Sequence, residues 1–212
     1  MEIKNLQYHK DRWDSDEFSK EELIQFEDDV IKHWERGQIK GPIHLSSGNE
    51  EQLIKIFRKI SPTDWVFSTW RSHYHALLHG VEKDKLMKKI LEGKSITIVD
   101  KISKFYSSAI VTGILPIALG VAKSIKLSGK DEKVWCFIGD MTFETGIFYE
   151  THKYARNFNL PLYFVVEDNG VSTNTPTLDT WGGFQREIPD DVIYYQYKSK
   201  YPHYGTGKWV VF

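Results

Sequence analysis

Two short, wholly apolar runs, Val134–Ile138 and Leu162–Val166, bracket a stretch of helical periodicity between Thr145 and Asn159. Strand, helix and strand within about 33 residues make a βαβ unit, which sets the two strands parallel with a right-handed crossover. The helix would bury Phe148, Thr151, Ala155 and Phe158. Such a unit points to a three-layer α/β fold with a mainly parallel sheet.

At 212 residues the chain is long enough for one sizeable core and short for two. We expect an N-terminal segment and helix over residues 1–36, then an α/β domain over residues 37–212, the whole forming one globular unit. Ser19 and Glu22 make a capping box for a helix over Phe18–Arg36, whose Leu23, Phe26, Val30, Ile31 and Trp34 recur at helical spacing. Ser47 and Glu50 suggest a second box, opening a helix to about Ile60. A short strand over Trp65–Trp70 and a charged helix near Asp84–Leu91 follow, then a polar loop. The tail offers two further strands, Val192–Tyr197 and Lys208–Phe212.

The net charge of −1 gives no electrostatic reason to expect nucleic acid or an anionic membrane as partner. The longest apolar stretch, Ala109–Ala122, falls short of the roughly 20 residues of a membrane span. It reads as a buried helix, with Pro116 tolerable only in the first turn. Met1–Asp16 mixes charged and aromatic residues with no apolar segment, so no signal peptide is expected. With a single cysteine, Cys136, a cytoplasmic setting fits.

Gly139-Asp140 directly follows the first strand of the βαβ unit, and Glu167-Asp168-Asn169-Gly170 directly follows the second. Parallel neighbours end on the same edge of the sheet, where open α/β sheets bind ligands. A carboxylate, an amide oxygen and a loop carbonyl meeting there suit a hard cation such as magnesium. Asp140 and Asn169 would be the side-chain ligands and the Val171 carbonyl the third. Both clusters also suit ordinary turns after strands, and spacing alone leaves the two readings open.

Gly139-Asp140-Met141 with Asp168-Asn169 resembles the Gly-Asp-Gly…Asn-Asn motif of thiamine-diphosphate enzymes, with Met141 at the third glycine. The flanks resemble the alpha subunits of the decarboxylating component of 2-oxoacid dehydrogenases. Gly146, Phe148 or Tyr149, and Glu150 match a Gly-x-x-Phe-Glu helix, and Leu160-Pro161 a Leu-Pro before the next strand. Ile110-Val111-Thr112-Gly113-Ile114-Leu115-Pro116 is similar to an Ile-Val-Gly-x-x-x-Pro segment, Trp70-Arg71-Ser72-His73 to Tyr-Arg-x-His, and His44–Glu50 to His-Leu-x-x-Gly-x-Glu. The matches run in order over residues 37–177.

The resemblance implies thiamine diphosphate and Mg2+ as cofactors. Because a helix N-terminus contributes only about 0.3–1 kcal/mol per nearby charge, the diphosphate needs the metal and an arginine, here Arg71. Gly139, the amides of Met141 and Thr142, and Trp70 would complete the grip, with Ala109 and Val111 on the aminopyrimidine. His44 and His73 match catalytic histidines, alternatively structural ones. His73, His75 and His79 have no Cys or carboxylate at ligand spacing, which disfavours a metal cluster.

The glutamate that activates the cofactor comes, in the resembled family, from a beta-type subunit with a pyrimidine-binding domain. The resemblance therefore implies a hetero-oligomer, a heterotetramer, acting on a 2-oxoacid. Residues 179–212 show no version of the family's loop for the lipoyl acyltransferase, so transfer to a lipoyl arm is not expected. A split transketolase-like subunit acting on a ketose, and a non-catalytic binding or assembly module, stand as alternatives.

Overall fold

The computed structural model describes residues 18–182 and 186–210. The reading of Met1–Asp16 and the end of the proposed Lys208–Phe212 strand lie outside them. Helices α1 (Lys20–Glu35) and α2 (Glu50–Phe57) precede strand β1 (Trp65–Ser68), followed by α3 (His73–Leu78) and α4 (Lys83–Leu91). Strands β2 (Val99–Asp100) and β3 (Phe105–Ser107) lead into α5 (Ile114–Leu127) and β4 (Val134–Gly139). Then come α6 (Asp140–Phe143), α7 (Gly146–Asn157), β5 (Leu162–Asp168), a hairpin of β6 (Val171–Ser172) and β7 (Thr175–Pro176), α8 (Thr177–Thr180) and β8 (Val192–Gln196).

Six strands form one sheet in the order β2-β3-β1-β4-β5-β8. All neighbours are parallel except β2, which runs antiparallel to β3. Alternation along β4 divides its side chains between two layers, as the strand period of two requires. Trp135 and Phe137 join the core beneath α1, α2, α3 and α4; Val134, Cys136 and Ile138 join the core beneath α5 and α7. Helices cover both faces of a mainly parallel sheet, which is why β4 reads as an unbroken apolar run.

The α1 capping box forms: the Glu22 amide donates to Ser19 Oγ at 3.1 Å, and the Ser19 amide to Glu22 Oε2 at 2.8 Å. The second box does not. Asn49 stands at the N-cap of α2 without a side-chain cap bond, and Glu50 Oε1 accepts instead from the Gly48 amide at 2.8 Å. That helix ends at Phe57, short of Ile60. The buried helix begins at Ile114 rather than Ala109, because residues 109–113 form a turn with Thr112 at φ +67°. The polar loop before it holds β2 and β3, too short to show periodicity. Phe158 is 45% exposed, and His152 takes the buried place on α7. Residues 208–210 are irregular, not strand. No described helix is long and apolar enough to cross a membrane.

Phe137 is fully buried at the sheet centre, stacked on Phe57 with ring centroids 5.2 Å apart. Phe137→Ala should cost about 3–5 kcal/mol in denaturant unfolding; a loss below about 1 kcal/mol would contradict this packing.

Candidate functional site

The register of β4 on β5 ends with Gly139 opposite Glu167, so the chain leaves both strands on one edge. Asp140 opens α6 there, and the turn carrying Asn169 and Val171 lines the same solvent-open cleft. Gly139, Met141, Thr142, Trp70, Arg71 and Val111 line the same cleft. Segments distant in sequence thus meet at one edge of the sheet. His44, His73 and Ala109 do not line the cleft.

Asp140 is 2% exposed, and its Oδ2 accepts a hydrogen bond from the Thr177 hydroxyl. Burial, with the Asp168 carboxylate nearby, pushes its pKa up to about 6. Burial also opposes the charge on Asp168. Hydrogen bonds from Tyr194, Gln196 and the Gly170 amide, with the Arg186 guanidinium 2.5 Å away, more than offset this and hold it below the usual carboxylate range. Asn169 Oδ1 accepts from the Val171 amide at 3.2 Å, keeping one lone pair.

Arg71 donates to two carbonyls, Leu45 O at 2.7 Å and His203 O at 3.4 Å, and pairs with no carboxylate among the described residues. Its charge is therefore left for an anion in the cleft.

The expectation for His73 needs correction. It is fully buried, with Nδ1 3.2 Å from Glu27 Oε1 and Nε2 2.8 Å from Ser95 Oγ, and reaches no cleft. Both ring nitrogens are committed to the core. His44 sits just behind the cleft, against Trp70 and His203, and its Nδ1 donates to the His203 carbonyl at 2.6 Å. That bond fixes the tautomer and leaves Nε2 the basic nitrogen. Ala109 is half-buried in the turn beside Val111.

Sequence reading missed the tail. Tyr197 and His203 line the cleft, although Tyr197 reads as the end of a strand and His203 carries no reading at all. A Tyr and a His bracketing a basic stretch were the available signal, without spacing to direct it. It also missed the floor. Glu27 accepts from the amides of Ser46 at 2.8 Å and Ser47 at 3.3 Å, while Glu167 accepts from Asn49 Nδ2 at 3.0 Å and from the Tyr195 hydroxyl. Two buried carboxylates thus hold the loop that carries His44. Gly48 in that loop has φ +106°, and a Cβ there would meet Lys198 O at 2.3 Å, so only glycine lets the tail close over it.

Residues 20–180 match the family described as Dehydrogenase E1 component. The chain belongs to this family. It is 34% identical over 166 residues to the alpha subunit of acetoin:2,6-dichlorophenolindophenol oxidoreductase of Cupriavidus necator, covering 72% of this chain and 49% of that protein. The Bacillus subtilis protein of the same name is 30% identical over 73% of this chain and 50% of its own length. The pyruvate dehydrogenase E1 component alpha subunit of Porphyra purpurea is 30% identical over 68% and 47%. The chain spans about half the length of these E1 relatives.

Two departures from the E1-like motifs differ physically. Met141 is helical, so its backbone never required glycine. Thr112, at the glycine position of the Ile-Val-Gly pattern, is β-branched in the left-handed region, a strained state costing about 1–3 kcal/mol.

Burial lowers the His44 pKa from 6.5 to about 4. The unfolded chain then takes up a proton that the folded chain refuses, so this contribution is complete above pH 6.5 and is lost as pH falls toward 4. His44→Gln should show a smaller drop in Tm between pH 7.5 and 5.5 than the parent protein, by about the share this group contributes. Equal drops would contradict a buried neutral His44.

Proposed function

We propose that this chain is the thiamine-diphosphate- and magnesium-binding alpha-type subunit of a two-chain enzyme that breaks a carbon–carbon bond beside the carbonyl of a 2-oxoacid. The observation that carries the reading is the convergence of Asp140, the Asn169–Val171 turn and Arg71, which pairs with no carboxylate among the described residues, on one cleft. The residues suit the cofactor. Asp140 is buried with the Asp168 carboxylate nearby, and the Asn169 amide oxygen and the Val171 carbonyl lie in segments lining the same cleft, a donor set that suits magnesium.

Asp140, Asn169 and the Val171 carbonyl would hold the metal. Arg71, with the amides of Met141 and Thr142 beside Gly139, would hold the diphosphate. Trp70 and Val111 would flank the aminopyrimidine, with Ala109 shaping the turn. When bound, thiamine diphosphate supplies the electron sink for the bond cleavage. His44, neutral and oriented by the His203 carbonyl, would accept or return a proton at Nε2. His73 contributes through the core, by way of Glu27.

Among the described residues, no glutamate stands free in this cleft to activate the cofactor. Glu167 is tied to Asn49 and Tyr195, Glu50 to the Gly48 amide, and Glu150 is exposed on α7. A beta-type partner bearing a pyrimidine-binding domain would supply it, in a heterotetramer. The relatives named for acetoin favour a second substrate class, an α-hydroxy ketone.

Native mass spectrometry of the complex isolated from its own cells tests this reading. The expected result is a second chain and a mass increment for thiamine diphosphate plus magnesium, with Asp140→Asn weakening retention about 10-fold or more. A bare homo-oligomer that gains no mass with both cofactors would overturn it in favour of a non-catalytic module.

A further inference from the structure

We infer that Thr177 is a positioning residue for the metal site, its hydroxyl holding one oxygen of Asp140 so that the other is presented to the cation. This rests on the cofactor reading above and assigns a role to a residue outside the ligand set. Thr177 is 1% exposed, whereas Pro176, Leu178 and Asp179 around it are exposed. A hydroxyl buried alone in a surface segment requires a partner, and its Oγ1 donates to Asp140 Oδ2.

The main chain of the same residue does a second job. Its amide donates to the Gly170 carbonyl at 3.0 Å, closing the loop that carries Asn169 and Val171 around the β6–β7 hairpin. One residue therefore bonds both ligand-bearing segments: the turn after β5 through its backbone, and the start of α6 through its side chain. Without the side-chain bond, the Asp140 carboxylate could rotate to present either oxygen or both. Magnesium demands near-octahedral geometry and tolerates such freedom poorly. Hydrogen-bond partners behind a ligand typically account for 10–100-fold in metal affinity.

Thr177→Val keeps the shape and deletes the hydroxyl; Thr177→Ser keeps the hydroxyl. Mn2+ affinity is measured by electron paramagnetic resonance on the complex isolated from its own cells, with thiamine diphosphate present, for the parent and both variants. Thr177→Val should bind Mn2+ about 10–100-fold more weakly, and Thr177→Ser should recover to within a few-fold of the parent. Unchanged affinity in Thr177→Val would overturn the inference while leaving the cofactor reading intact. So would a Thr177→Ser as weak as Thr177→Val, since packing rather than the hydroxyl would then be responsible. A parent complex that binds no Mn2+ would overturn the cofactor reading itself, and this inference with it.

Discussion

In-register parallel pairing of β4 with β5, from Val134 opposite Leu162 to Gly139 opposite Glu167, is the constraint on which the rest depends. It ends both strands at one level and so brings Asp140 to the turn holding Asn169. A slip of one residue would move every β4 side chain into the opposite layer, exchanging Trp135 and Phe137 for Val134, Cys136 and Ile138. Because those layers differ in volume, packing of the two cores fixes the register, and the register fixes the site.

Beneath the cleft, buried charge does what apolar packing cannot. Glu27 on α1 and Glu167 on β5 hold the loop from His44 to Asn49 by its amides and the Asn49 side chain. Burying carboxylates is costly unless they are well satisfied, and here each gathers several donors. The return is orientation. The loop presents Leu45 O to Arg71, while the tail returns at Gly48 and lends the His203 carbonyl to both Arg71 and His44. Among the described residues Arg71 is thereby held by two neutral carbonyls, and burial lowers the pKa of His44. The cleft so formed carries the Arg71 guanidinium and the buried Asp140 carboxylate in one lining.

Much of this was legible in the chain itself. Apolar runs disclosed β4 and β5, helical periodicity disclosed α1, α4 and α7, and the capping box at Ser19 held because cap and partner lie three residues apart. Local chemistry of that range is written in order along the sequence. Asp140 and Asn169 could be placed on one sheet edge because strand ends are also local, whereas Arg71 entered only through the motif resemblance. The Ser47–Glu50 box failed for the opposite reason: Glu27, remote in sequence, claims the Ser46 and Ser47 amides, and tertiary contact outcompetes the local cap.

The sequence by itself therefore determined the α/β class, the paired strand ends and the oxygen-rich edge. Only the tertiary structure decided where the histidines lie: His203 lines the cleft, His44 packs behind it, and His73 is bound to Glu27 and Ser95 in the core. It likewise brought Thr177 onto Asp140 and His203 into the cleft lining, placements that no local pattern encodes. Hydrogen bonds across more than thirty positions leave no periodic trace, and their partners become known only once the sheet has assembled them.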